Sequence, residues 1–211
     1  MLVVRYTKTD GAEFISHLDT LRHLQKTIIR SGMKVGYSKG FNPHMLIFLS
    51  APIGVGLTST SEFFFIETDE DPKVFEDKFN AFCPGGFKAV WACKVRKNPN
   101  LQAIVDSAEY FILCDASEDT VRDVLGKKEY FVTDKRGVQK EVRNRIIDLK
   151  KVDNGLIARL SFGNDTLRAD VFAYSIAKNF GVNVFDITKS DVFIKGVRAE
   201  EYIERNFASD K

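Results

Sequence analysis

The chain has 211 residues, 44% apolar and 28% charged, with a formal net charge of +2. That composition excludes a disordered or collagen-like chain and leaves room for one large domain or two small ones. No apolar run approaches the ~20 residues that a membrane span needs. Cys83, Cys93 and Cys114 form no Cys-x-x-Cys pair, which argues against a zinc site or a redox pair and fits three buried thiols in a reducing compartment, the cytoplasm.

Residues 2–6 are expected as a strand, followed by a turn at Thr9-Asp10-Gly11, with Phe14-Ile15 finishing the strand or hairpin. Ser16 then stands as an N-cap with Asp19 three residues on, an imperfect capping box. Leu18, Leu21, Leu24, Ile28 and Ile29 repeat at helical spacing, which predicts a helix to Ser31, closed by Gly32. A Gly-bearing loop spans 33–44, and 45–50 is expected as a strand. Ala51-Pro-Ile-Gly-Val-Gly56 is a bend that no continuous strand contains. Residues 62–68 give a Phe-rich strand, and Asp71-Pro72 opens a second helix with Phe75, Phe79 and Phe82 as its apolar face. Pro84-Gly85-Gly86 ends it, and 87–95 is a further strand. The order strand, helix, strand, strand, helix, strand is that of the ferredoxin-like βαββαβ unit.

Lys97-Asn98-Pro99-Asn100 is the most linker-like stretch, so two domains are expected, 1–97 and 98–211. The second is expected as a looser α+β half, with a ferredoxin-like pattern as one option. Its strands are expected at 110–114, 130–133, 138–142, 156–162 and 192–194. Helices are expected at 118–125, after a cap at Asp165, and at 198–207. Asp134-Lys-Arg-Gly137 is the turn between two of the strands, and no sequence repeat links the halves.

Charge is unevenly spread. Residues 1–50 hold seven Lys/Arg against three Asp/Glu and all three histidines, residues 58–82 hold two against seven, and residues 127–151 hold nine against four. Four groups of residues follow from this as candidates. His17 occupies the first turn of the first helix, where capping does not require it, so proton transfer or phosphate binding is open to it. Arg22, His23, Lys26 and Arg30, with Asp19, share a helix face opposite the leucines, suited either to phosphates or to plain solvation. Tyr37, Ser38, Lys39, Phe41, Asn42 and His44 sit in one glycine loop, where aromatics stack on bases or pack into the core. Lys135, Arg136, Lys140, Arg143 and Arg145 form a secondary basic patch, for phosphate or merely for guarding an edge strand. No metal-ligand spacing, nucleotide P-loop or hydrolase elbow is present, so no metal and no cofactor is expected.

Three motifs occur together: Phe14-Ile-Ser-His-Leu-Asp19, Tyr37-Ser-Lys-Gly-Phe-Asn-Pro-His44, and the Pro52-Ile-Gly-Val55 bend followed by Ser61-Glu-Phe-Phe-Phe-Ile-Glu67. Over residues 5–67 they resemble the radical-SAM-linked uncharacterised bacterial protein family. The segments 134–146 and 167–172 resemble that family's later parts more weakly. The resemblance implies a domain found fused to, or encoded beside, a cobalamin-binding radical-SAM protein, with ribonuclease G-type and ribosomal-protein genes nearby. The chain lacks the Cys-x-x-x-Cys-x-x-Cys cluster motif and so corresponds to the partner half. At Arg143 the family is expected to carry an acid.

The favoured expectation is an accessory binding protein of a radical-SAM enzyme, with no catalysis alone. It would contact RNA or a ribonucleoprotein through the basic helix face and the aromatic loop, without a membrane. Two alternatives stay open: a metal-independent RNA-processing enzyme using His17 or His44, and a protein–protein adaptor docking through the 63–65 strand or the acidic 67–77 region. The recognition site is expected to be a positively charged recess shared by His17, Arg22, Lys39 and His44.

Overall fold

The computed structural model describes residues 1–50, 52–133 and 136–209. In chain order the strands and helices are β1 (Leu2–Lys8), α1 (His17–Arg30), β2 (Ile47–Ser50), β3 (Thr58–Ile66), α2 (Pro72–Phe82), β4 (Phe87–Lys94) and α3 (Leu101–Ile104). There follow β5 (Ser107–Cys114), α4 (Glu118–Gly126), β6 (Phe131–Thr133), β7 (Gln139–Glu141), β8 (Ile146–Val152), β9 (Gly155–Ser161), α5 (Ala169–Phe180), β10 (Val184–Ile194), β11 (Val197–Arg198) and α6 (Ala199–Phe207). The chain divides into two compact units, one of Met1–Ile104 with Val197–Lys211 and one of Val105–Gly196.

In the first unit the strands run β4-β1-β3-β2, all neighbours antiparallel, as the ferredoxin-like pattern requires. Alternation along β1 and β3 sends Val4, Tyr6, Phe64 and Ile66 into one core with Leu24, Ile28, Phe75 and Phe79. The rings interlock: Phe64 lies 6.2 Å from Phe75 and 6.0 Å from Phe79, and Phe75 stacks on Phe79 at 6.1 Å. Both helices start where chemistry dictates. The Ser16 hydroxyl accepts from Asp19 N, and the Asp71 carboxylate accepts from Lys73 N and Val74 N, satisfying amides that have no partner inside the helix. Gly86 turns β4 into register at φ +84; a Cβ there would sit 2.1 Å from the Thr9 carbonyl oxygen.

In the second unit the strands run β10-β5-β9-β8, again antiparallel throughout. With α4 after its first strand and α5 between β9 and β10, it too is a ferredoxin-like arrangement, into which the β6–β7 hairpin is inserted. Tyr130, just before β6, is buried and anchors the hairpin. Its hydroxyl shares a 3.0 Å hydrogen bond with Ser175 Oγ of α5, and its ring lies 6.1 Å from Phe172.

Several expectations change. The division falls at 104/105 rather than 97/98, and the C-terminal helix returns to the first unit. Leu101 is buried there, as are Ala199 and Ile203 of α6. Glu200 pairs with Arg5, and Glu204 accepts from Trp91 Nε1 at 3.0 Å. Phe14 ends a single 3-10 turn (Ala12–Phe14) instead of a strand. The buried face of α1 is Thr20, Leu24, Thr27 and Ile28, while Leu18 and Ile29 are exposed, because the helix packs a stripe narrower than the leucine pattern. Cys83 and Cys93 are half-buried and only Cys114 is buried; burial pushes all three thiols up from their ordinary pKa. Helix α5 starts after Arg168, with no side-chain cap, instead of at Asp165.

Phe79→Ala should cost about 3–5 kcal/mol. Urea denaturation with an unchanged m-value checks it, and a loss below ~1 kcal/mol would contradict the interlocked ring packing.

Candidate functional site

The 37–44 loop leaves the first unit from a tight base. Gly36 N donates to the Glu67 carbonyl at 2.6 Å and Leu46 N to the Gly36 carbonyl at 2.9 Å. A Cβ on Gly36 would meet the Glu67 side chain at 2.9 Å, so the close approach needs glycine. Above this base Tyr37 bridges Met45, and Ser38 clasps His44 three times. Ser38 N donates to the His44 carbonyl (2.8 Å), His44 N donates to Ser38 Oγ (3.0 Å), and Ser38 Oγ shares a hydrogen bond with His44 Nδ1 (2.8 Å). The clasp leaves Lys39, Gly40, Phe41 and Asn42 as an exposed tip, with Gly40 at φ +135. Phe41 is 100% exposed and Tyr37 49%. Neither is packed into the core, so the loop holds two aromatic faces in solvent beside one lysine and one imidazole.

The N-terminus of α1 is fixed separately. The buried Lys8 ammonium donates to the Ile15 carbonyl at 2.7 Å, and Gly56 N donates to the Glu13 carbonyl at 2.9 Å. The Ser16 hydroxyl donates to Asp19, and Arg22 Nη1 pairs with it at 2.8 Å. Ser16 and then Arg22 hold the Asp19 carboxyl below the usual carboxylate range. Beside this terminus lies a cavity of about 280 Å³. It is lined by His17 and Leu21 of α1, by β2 with Phe65 of β3, and by the 98–102 segment.

The expected common recess does not form. His17 lines the cavity, but Arg22, Lys39 and His44 do not, and among the described residues no lysine or arginine lines it. The basic helix face is also divided. Arg22 is engaged by Asp19, and Lys26 is exposed. His23 is half-buried and stacks on Phe87 at 5.9 Å. Arg30 donates to the Phe82 carbonyl at 3.0 Å, closing the C-terminal end of α2, where cations are favourable.

The secondary patch is divided too. Lys135 and Asp134 lie outside the described residues. Arg136 and Lys140 are exposed near β7. Arg143 donates to three backbone carbonyls, Leu125 (3.0 Å), Lys127 (3.2 Å) and Ile146 (3.3 Å); two of them close the C-terminal end of α4. Arg145 pairs with Asp165 at 2.7 Å. These two arginines are structural, which charge counting has no means of showing. The 63–65 strand is no docking surface, because Phe63, Phe64 and Phe65 are all buried.

Sequence reasoning missed Ser50, Asn98, Asn100 and Gln102, which line the cavity. Asn98 and Asn100 fall in the stretch that the sequence marks as linker-like. Ser50 is only 7% exposed and its hydroxyl has no hydrogen-bond partner, a burial that costs about 1–3 kcal/mol. Among the described residues no group of three or more His, Cys, Asp or Glu is placed to hold a metal ion. No helix among them is long and apolar enough to cross a membrane.

Fold and loop together define a protein of two ferredoxin-like units carrying a clasped aromatic loop. Over residues 1–171 the sequence matches the model of a family described as "Uncharacterized protein conserved in bacteria (DUF2344)", and the chain belongs to that family. A search of curated proteins finds no match. Among solved structures, the chain is similar to one in "Crystal Structure of a Cbf5-Nop10-Gar1 Complex", at 9% identity and a TM-score of 0.50. The match covers 97% of this chain and 56% of that one, a likeness of fold alone. The chain thus spans little more than half the length of that relative.

Arg143→Ala should lower stability by about 1–3 kcal/mol, since the carbonyls it caps lose a charged donor; thermal unfolding checks it. The depressed Asp19 carboxyl stabilises the start of α1 at neutral pH, and this contribution is lost as pH falls through its folded-state pKa. An NMR titration should show the Ser16 and Asp19 amides moving below the usual carboxylate range, and Asp19→Asn should flatten that response.

Proposed function

We propose that the protein is an accessory binding module that contacts RNA, or a ribonucleoprotein, through the 37–44 loop, with no catalytic step of its own assigned. The observation that carries this is Phe41, a wholly exposed ring on a loop that is itself tightly clasped. An apolar ring held in water by a rigid neck is arranged to meet a partner, and a base offers it a flat face whatever its sequence. Lys39 at the tip, and Lys26 on α1, supply charge for phosphates. His44 has its Nδ1 engaged by Ser38, which makes it a clasp that keeps Nε2 available as a contact.

Work beside a radical-SAM protein in the cytoplasm is part of the same proposal. Its support is the motif resemblance over residues 5–67 and three free cysteines suited to a reducing compartment.

Fluorescence anisotropy with single-stranded RNA should show binding that weakens steeply with salt. Phe41→Ala should weaken it at least about fivefold, the low end of base–aromatic stacking, and Lys39→Ala should reduce the salt slope. Undetectable binding at low salt would overturn the proposal. Purification with a protein partner that survives nuclease treatment would then point to a pure adaptor.

A further inference from the structure

The cavity beside α1 holds groups that the loop does not use. Its size, about 280 Å³, lies just below the range for drug-sized ligands and suits one small planar molecule. Phe48, half exposed, lines it beside Phe65, with ring centroids 6.1 Å apart. Three side-chain amides, Asn98, Asn100 and Gln102, line it as well. Asn98 Oδ1 accepts from Asn100 N at 2.8 Å, which keeps the Asn98 NH2 group as a donor. That bond also holds Asn100 in a left-handed conformation, φ +50, which asparagine tolerates better than most residues.

Ser50, more than nine-tenths buried, also lines the cavity, with its hydroxyl sealed behind the lining. Among the described residues no lysine, arginine or carboxylate lines the cavity, so a charged ligand would lose its hydration without compensation. A flat face for stacking, paired amide donors and acceptors, and no formal charge together match the edge and face of a nucleobase.

From these observations we infer that the cavity binds a neutral nucleobase, stacked on Phe48 and read along its edge by Asn98, Asn100 and Gln102, with His17 as a further polar contact. The inference stands on the cavity and does not depend on the loop. A base can arrive as a free nucleoside or as an unpaired position of an RNA strand, and the two are separable.

The test follows the aromatic and side-chain amide NMR signals of the full chain in two titrations. One uses adenosine, guanosine, cytidine and uridine. The other uses a short RNA that is abasic except at one position. Shifts at Asn98, Asn100 and Gln102 with a nucleoside would support a free ligand, and its affinity should change less than about twofold with salt, since no phosphate is contacted. Shifts with the RNA alone would assign the site to a strand. In the titration that binds, Phe48→Leu and Asn98→Ala should each weaken affinity about tenfold, and Phe41→Ala should leave nucleoside binding unchanged. No shift with any probe would overturn the inference and leave RNA binding by the loop standing. Unchanged affinity in folded Phe48→Leu and Asn98→Ala proteins would overturn it as well.

Discussion

The pairing of β2 with β3 is the constraint on which the first unit depends. Ile47 stands opposite Ile66, Phe48 opposite Phe65 and Ser50 opposite Phe63. Because side chains alternate, this register sends Ile47 toward the core shared with Phe64, Phe75 and Phe79 and leaves Phe48 beside Phe65 on the other face. A slip of one residue would exchange the two sets, burying Phe48 in place of Ile47 and removing the aromatic part of the cavity. The same strand pair fixes the loop, since Gly36 and Leu46 hydrogen-bond in sequence from the Glu67 end of β3. Core, cavity and loop therefore rest on one ladder.

Three cations in this protein close helix or turn ends by meeting backbone carbonyls. Lys8 holds the Ile15 carbonyl before α1, Arg30 closes α2, and Arg143 closes α4. Each meets an acceptor that helix or turn geometry leaves without an intrahelical partner. A guanidinium is well shaped for this, since its five donors form a fixed fork able to meet several carbonyls. The cost of such a carbonyl going unpaired explains why a net positive run such as 127–151 need not mark a ligand surface.

What the sequence made legible was whatever is decided locally. The caps at Ser16 and Asp71, the left-handed glycines at 32 and 181, and the first βαββαβ order all follow from residues within a few positions of each other. Two strands with irregular pairing were missed or cut short. β8 shifts register between Ile146 and Asp148, and β10 does so twice, between Val184 and Asp186 and between Lys189 and Asp191. Each irregularity breaks the two-residue period that betrays a strand, and the charged residues of β10 deepen the disguise. The site divides the same way. The aromatic loop stands in one contiguous segment and was visible, whereas the cavity joins residues 17, 48, 50 and 98–102, which only tertiary structure brings together.

Phe41 and Ser50 run against the stability of the first unit. Phe41 exposes a whole ring to water, and Ser50 buries a hydroxyl without a partner. Elsewhere the same unit caps α1 and α2 with side chains and interlocks its rings, though Thr20 and Ser61 also bury hydroxyls without partners. Sequences that satisfy packing rules broadly tend to break them where function asks for it. The two exceptions also differ in kind: the loop offers ring and charge to a phosphate-bearing strand, while the cavity offers ring and amide without charge. A single polyanion could engage both, its backbone held by salt-sensitive contacts at the loop and one base by salt-indifferent contacts at the cavity. Affinity and selectivity would then come from separate parts of one unit, as phosphate contacts position a strand and base contacts specify it.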